Sequence, residues 1–296
     1  MSAQLLPCQS QFLAANFESH SGASKLRLFP ADGTATVIAL PFALANVKFS
    51  VDGRSLYASL ATGSLAKLEQ MPGLVRIDYP VRSAPLSGTQ GFGIRDFGIS
   101  QDGGKVVLAG NRKKEGRSEC GFFEVTVSTG AARQALAQDC SYRWWGTDLT
   151  LSPDGNQAIA SYGNSNSDYN YRLDLIDLAR GTTKSLGDLS RPTWSPDGKW
   201  IAAIEWKKKR LILLDAKDPS RRRNIGSTIA AAWSPDSRYL LIWHYHFLKC
   251  GFFIDVEPPA SLEMLDIASG KNTLIRSSQC QLIAGPIGWL SSHIEE

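Results

Sequence analysis

The sequence has little of the chemistry that most enzyme classes require. Only four of its 296 residues are histidines: His20, His244, His246 and His293. The zincin motif His-Glu-x-x-His, the phosphate-binding Walker loop and the Gly-x-Ser-x-Gly nucleophile elbow are all absent. These absences exclude the commonest zinc proteases, phosphate-loop nucleotidases and serine hydrolases. We therefore expect no catalytic residue and no cofactor.

Long apolar runs and a strong net charge are also absent. No apolar stretch reaches the roughly 20 residues that a membrane-spanning helix needs. The 32 basic and 28 acidic residues leave a net charge of +4, a balance that does not favour nucleic-acid binding. Residues 1–7 are too few, and lack the basic region, for a signal peptide. We expect a soluble monomer that binds no nucleic acid and inserts into no membrane.

The sequence does contain an internal repeat. A large apolar residue and Ser are followed by a variable residue, Asp, and then Gly or Ser, and an apolar strand comes next. The five copies contain the aspartates Asp52, Asp102, Asp154, Asp197 and Asp236. Asp bonds neighbouring backbone amides, Pro presets φ, and Gly accepts a positive φ. Each copy therefore predicts a hairpin turn in which the aspartate has a structural role.

A second kind of hairpin alternates with these turns and occurs six times. Five complete inner hairpins cannot match six outer ones, but the chain ends supply the missing strands. Residues 11–17 predict a second strand and residues 284–291 a first strand, and their pairing would leave no free sheet edge. We therefore predict an all-β fold, a six-bladed β-propeller with one blade closed by the N- and C-terminal strands. It would form a single domain over residues 1–296.

The repeated Ser-Pro-Asp-Gly turn, preceded by Trp or another large apolar residue, resembles the WD40-like propeller repeat of TolB. Similar repeats occur in the propellers of prolyl-oligopeptidase-like and tricorn-like proteases, and in sensor domains fused to bacterial kinases or regulators. The resemblance covers nearly the whole chain. It carries over no catalytic residue, and a fold shared by many functions does not specify one of them.

Four of the five cysteines form two equivalent pairs. The sequence Cys-Gly-Phe-Phe occurs at Cys120 and again at Cys250, each time at the start of a predicted third strand. Cys140 and Cys280 each follow the fourth strand of the same blade, so two disulfides are predicted, Cys120–Cys140 and Cys250–Cys280. The alternative is four buried thiols. Disulfides would indicate a periplasmic or other extracytoplasmic location, and Cys8 is left over.

Candidate binding residues lie in connections that emerge on one face of a propeller. These are the connections from second to third strands and from fourth strands to the next blade. Here they are rich in aromatic and basic residues, the types that dominate interface hot spots. The candidates are Arg143, Trp144, Trp145, Trp206, Lys207, Trp243, His244 and His246. The alternative is that the tryptophans pack between blades and the lysines are solvated.

Metal ligands are sparse. His244 and His246 share one face of an extended stretch, and together with Cys250 they could bind a metal. We favour an exposed strand end, because few supporting ligands are visible. Some six-bladed propellers are calcium-dependent hydrolases with acidic ligands in the central channel, for which Asp96 and Asp148 are only isolated candidates. We predict no metal site.

The favoured hypothesis is a non-enzymatic scaffold or sensor that binds a protein or peptide. Its partner would be acidic, or would be a cell-envelope glycan, since the candidate residues combine aromatic rings with positive charge. Two alternatives stay open. One is a channel-site enzyme of the lactonase-, lyase- or hydrolase-like kind, and the other is a sensor for an anionic glycan.

Overall fold

The fold is given by a computed structural model. It describes residues 12–20, 23–29, 36–40, 44–52, 54–60, 73–78, 82–140, 145–163, 171–228, 230–245, 260–278 and 287–291. These residues form 24 strands and one 3-10 turn, Trp206–Lys208. Among them there is no helix of the length and apolarity that crossing a membrane requires.

The strands pair in antiparallel fashion into six four-stranded sheets, of which five consist of consecutive strands. The first comprises β4 (Leu44–Phe49), β5 (Ser55–Leu60), β6 (Leu74–Asp78) and β7 (Arg82–Pro85). The second comprises β8 (Phe92–Ile99), β9 (Lys105–Lys114), β10 (Arg117–Thr126) and β11 (Ala131–Ala137). The third comprises β12 (Trp145–Leu151), β13 (Gln157–Gly163), β14 (Tyr171–Asp177) and β15 (Thr182–Gly187). The fourth comprises β16 (Ser190–Trp194), β17 (Trp200–Glu205), β18 (Arg210–Asp215) and β19 (Arg222–Ser227). The fifth comprises β20 (Ala230–Trp233), β21 (Tyr239–Tyr245), β22 (Ala260–Asp266) and β23 (Asn272–Ser278).

The remaining sheet contains strands from both ends of the described chain. Its order is β24 (Ile287–Ser291), β1 (Phe12–His20), β2 (Ala23–Phe29) and β3 (Thr36–Leu40). Strand β24 lies antiparallel to β1, with Leu13 opposite Leu290 and Ala15 opposite Gly288. The two ends of the chain therefore hold each other in place.

The innermost strands contact one another in a closed order. β4 contacts β8, and the contacts continue through β12, β16, β20 and β24 back to β4. Sheets that radiate from a ring of inner strands are the architecture of a β-propeller. We call the side on which inner strands begin and second strands end the upper face, and the opposite side the lower face.

The core lies between neighbouring sheets. In one cluster Val107 and Phe122, from the second sheet, pack with Leu149 and Ile176, from the third. The clusters on either side of it are likewise shared by two adjacent sheets. The sheets in these clusters share their buried apolar surface, so each of them depends on its neighbours for stability.

The repeated turns lie on the lower face and use the same hydrogen bonds in all five copies. In the fourth copy, Ser195 Oγ donates to Asp197 Oδ1 at 2.7 Å and accepts the amide of Trp200 at 2.9 Å. Asp197 Oδ1 also accepts the amide of Lys199 at 3.1 Å. The same bonds recur in the other copies. The predicted structural role of the aspartates is confirmed, and Ser237 adopts the positive φ of 62° that Gly would take more easily.

The predicted disulfide between Cys120 and Cys140 is confirmed. It links β10 to the segment after β11, with the two Cα atoms 5.2 Å apart. Cys8, Cys250 and Cys280 lie outside the described residues, so the second disulfide stays a prediction.

The terminal sheet generates a first testable prediction. Deletion of residues 287–296 removes β24 and exposes the edge of β1 together with the inner strands that β24 contacts. We expect this chain to aggregate or to lose cooperative unfolding, as measured by size-exclusion chromatography and thermal denaturation. Deletion of residues 292–296 leaves β24 intact and is the matched control. A monomer with an unchanged melting temperature after the longer deletion would contradict the role given to closure.

A second prediction concerns the disulfide. Digestion without reductant followed by mass spectrometry should yield a peptide that links Cys120 to Cys140. The C120A/C140A variant should lose about 2–4 kcal/mol of unfolding free energy, because the bridge restricts the unfolded chain. Adding reductant should destabilise the wild type more than this variant. Complete alkylation of both thiols after purification under oxidising conditions would show that the bridge does not form.

Candidate functional site

Four neighbouring inner strands are irregular near the upper face. Their pairing shifts register between Ala45 and Lys48, Ile94 and Asp96, Trp145 and Asp148, and Ser190 and Thr193. A β-bulge leaves a residue unpaired and changes the direction of nearby side chains. Bulges at one level of adjacent inner strands bring polar groups together, as where Asn46 Nδ2 donates to the Arg95 carbonyl at 3.0 Å.

Asp96 connects three inner strands. Its side chain is buried, and its Oδ2 accepts from Lys48 Nζ at 3.0 Å and from the Leu149 amide at 2.6 Å. Lys48 Nζ also donates to the Leu149 carbonyl at 3.2 Å. A buried charge is costly unless it is paired and hydrogen-bonded, and here β4 and β12 supply the partners of a carboxylate on β8.

The environment of Asp96 shifts its pKa upward. Burial raises the pKa of Asp96 above its usual value, Lys48 lowers the pKa, and the carboxylate of Asp148 raises it further. Asp148 is itself bonded, since its Oδ2 accepts from Ser161 Oγ at 3.0 Å and from the Arg191 amide at 3.2 Å. The two carboxylates thus differ in environment, and protein donors bond to both.

A cation–aromatic cluster lies next to these carboxylates on the upper face. Trp206 opens the 3-10 turn between β17 and β18 and is half-buried. The guanidinium carbon of Arg191 lies 5.3 Å from the centre of its ring, and the Tyr171 ring meets it edge-on at 6.4 Å. Exposed Lys207 lies beside Trp206, with its Nζ 3.5 Å from Asp188 Oδ2. Because Asp148 accepts the Arg191 amide, this cluster and the polar residues at the bulges of the inner strands form one connected site.

The structure describes only some of the predicted binding residues. Trp206 and Lys207 lie together in one turn. Trp145 is at the start of β12, and Trp243 and His244 lie within β21, opposite Leu262 and Ser261 respectively. These three were expected in loops, but their backbones continue the sheet pairing, as aromatic-rich segments tend to do. Arg143, Trp144 and His246 lie outside the described residues.

Arg191, Tyr171 and Lys48 were not identified from the sequence. A signal was present for the first of these. Arg191 stands four residues before the repeat serine Ser195, the position that Asn46, Asp96 and Asp148 take in earlier copies. Aligning the copies would have shown that this position is polar in four consecutive blades. Within the described residues, no three His, Cys, Asp or Glu side chains are grouped as metal ligands would be.

No family model matches the sequence. TolB from Acinetobacter baumannii is similar in structure with a TM-score of 0.62 at 15% identity, over 96% of this chain and 68% of that one. A chain of the nidogen/laminin complex gives 0.59 at 12% identity, over 96% and 99%. Oligogalacturonate lyase from Vibrio parahaemolyticus gives 0.54 at 12% identity, over 92% and 80%. At these identities the similarity is one of fold, and the chain has a TolB-like β-propeller fold.

A third prediction follows from the buried pair. Lys48→Met should lower the unfolding free energy at pH 7 by about 1–3 kcal/mol, less than for a fully buried pair, because 34% of the Lys48 side chain stays exposed. The loss should be smaller at pH 4. Without Lys48 the pKa of Asp96 rises further above its unfolded value, so the variant is stable at low pH and loses stability as pH rises through that pKa.

Urea unfolding at the two pH values measures the effect. Lys199→Met is the matched control, since it removes an exposed ion pair with Asp197, and it should cost under about 1 kcal/mol. Equal losses from Lys48→Met at pH 4 and pH 7 would mean that Asp96 does not depend on Lys48 for its charge.

Proposed function

We propose that this protein is a non-enzymatic binding scaffold or sensor that takes an acidic protein or peptide on its upper face. The observation that carries the proposal is the Arg191–Trp206 stack beside exposed Lys207. We further propose that the chain is a single six-bladed propeller over residues 1–296. The six four-stranded sheets and the closed order of inner strands support that count.

The cluster has the features of an interaction hot spot. Arg191 and Trp206 belong to residue types enriched in such spots, and a half-buried ring offers contact area with little loss of side-chain entropy. Asp148 bonds the Arg191 amide, so the backbone beneath the guanidinium is positioned before a partner arrives. Preorganisation of this kind reduces the entropic cost of association.

The charge of the site favours an acidic partner. Arg191 and Lys207 supply positive charge beside the ring, which would orient carboxylates and make binding weaken as salt rises. The other candidates, Arg143, Trp144, Trp145, Trp243, His244 and His246, would enlarge this surface. We also propose an extracytoplasmic, periplasmic location, which the Cys120–Cys140 disulfide supports.

A channel-site hydrolase is the second candidate. The observation in its favour is the raised pKa of buried Asp96 near Asp148, because two carboxylates in different environments are typical of general acid–base pairs. The bonds from Lys48, Leu149, Ser161 and the Arg191 amide favour a structural role instead. An anionic-glycan sensor is the third candidate, and the cation beside an aromatic ring supports it.

The fourth prediction tests the binding surface. R191Q/K207Q should reduce capture of partners from an envelope extract by about tenfold at low salt, because it removes two adjacent cations from the contact. R180Q/K217Q removes two exposed cations from outer hairpins of the lower face, as the matched control. Quantitative mass spectrometry of captured proteins, with circular dichroism to verify folding, provides the measurement.

Two outcomes would contradict the proposal. If R191Q/K207Q still captures every partner and R180Q/K217Q does not, the binding surface lies on the lower face. Hydrolysis or elimination of a lactone or oligogalacturonate by the pure protein, abolished by a chelator, would identify an enzyme instead.

A further inference from the structure

The hairpin of β9 and β10 projects from the upper face. Both strands have ten residues, whereas β17 and β18, the corresponding pair in the fourth sheet, have six each. Pairing of β9 with β8 ends at Arg112, and pairing of β10 with β11 ends at Gly121. Beyond these residues the two strands pair with each other alone among the described strands. The hairpin therefore extends past the body of its sheet.

The end of this hairpin is basic and exposed. Lys113, Lys114 and Arg117 surround a two-residue turn, and Glu115 is the acidic residue among them. We call these three cations the basic tip. Lys113 and Lys114 are the last two residues of β9. Glu115 and Gly116 both have positive φ, 51° and 76°, which is the turn that closes a two-residue hairpin.

Arg112 stiffens the hairpin from inside. Its guanidinium carbon lies 5.5 Å from the Phe92 ring centre and 5.0 Å from that of Phe123. Its Nε donates to Glu119 Oε2 on the opposite strand at 2.8 Å. Arg112 is thus the most shielded cation of the hairpin and holds the two strands together, while Lys113, Lys114 and Arg117 are exposed.

The disulfide stiffens the hairpin at its base. Cys120 is bonded to Cys140 in the segment after β11, and Cys140 Sγ also lies 3.7 Å from the Ser118 carbonyl. The Cys120 carbonyl accepts the Gln138 amide at 2.8 Å and Gln134 Nε2 at 2.9 Å. A covalent bond and two hydrogen bonds therefore act on one short stretch of β10. Such a hairpin loses little conformational freedom when a partner binds.

We propose that the basic tip is a preorganised anchor for an acidic segment of the partner polypeptide. This inference rests on the proposed function and adds a second contact to the Arg191–Trp206 surface. Two linked contacts bind more tightly than either does alone. The tip is narrow, and Glu115 and Glu119 interrupt its charge, which suits carboxylates along an extended chain better than the continuous phosphates of a nucleic acid.

The experiment uses a fluorescent twelve-residue peptide of alternating Glu and Ser, with binding measured by fluorescence anisotropy at low salt. K113E/K114E/R117E should bind it at least about tenfold more weakly than the wild type does. K184E/K217E/K271E makes the same change in net charge at exposed lysines away from the upper face, and should stay within about twofold of the wild type.

A gain of binding shows that the reversed protein is folded. K113E/K114E/R117E should bind a peptide of alternating Lys and Ser that the wild type does not bind. C120A/C140A keeps every charge but frees the base of the hairpin, and should weaken binding of the Glu-Ser peptide about threefold. Unchanged affinity in C120A/C140A would show that the disulfide does not preorganise the anchor.

The remaining outcomes separate this inference from the proposed function. If R191Q/K207Q weakens binding of the Glu-Ser peptide while K113E/K114E/R117E does not, the proposal of an anchor at the basic tip is wrong. The proposed binding surface at Arg191 and Trp206 is then retained. If the wild type does not bind the Glu-Ser peptide, the anchor is wrong and the extract experiment decides the function independently. The wild type could instead bind a single-stranded DNA twelve-mer more tightly than the Glu-Ser peptide and lose that binding in K113E/K114E/R117E. This result would show that the ligand of the basic tip is a nucleic acid and not a polypeptide.

Discussion

Closure of the inner-strand ring is the constraint on which the rest of the structure depends. Each apolar cluster is shared by two neighbouring sheets, so a sheet that lost a neighbour would expose half of its buried surface to water. The pairing of β1 with β24 supplies that neighbour at the point where the chain begins and ends. The repeated turns connect each inner strand to the second strand of the same sheet.

Closure also brings the polar residues of neighbouring inner strands together at the upper face. Inner strands converge on one axis, and their bulges bring Asp96, Lys48 and Asp148 close together in a partly dry environment. A carboxylate there must be paired or protonated, and Lys48 together with the Leu149 amide meets this need for Asp96. The Lys48 and Leu149 donors both bond Asp96 Oδ2, and the Ser161 and Arg191 donors both bond Asp148 Oδ2. These bonds account for the position of the two carboxylates in the fold.

The parts of the structure set by local sequence could be predicted, and those set by strand register could not. The bonds of the turn at Ser195 follow from residues within five positions of one another. The Cys120–Cys140 pair followed from equivalent places in two copies of one pattern. By contrast, Lys48 and Asp96 meet only because β4 and β8 share a particular alignment in space. Trp243 was expected in a loop, whereas its pairing with Leu262 places it in β21, and that pairing depends on the opposite strand.

The two faces of the molecule differ in how uniform their turns and strand ends are. On the lower face every copy of the repeat uses the same serine and aspartate bonds, so a change there disturbs a turn that the ring needs. On the upper face the sheets differ in strand length and in charge, as in the long β9–β10 hairpin and the short turn at Trp206. We therefore propose that a partner able to distinguish this propeller from others contacts the upper face, where Arg191, Trp206 and the basic tip lie.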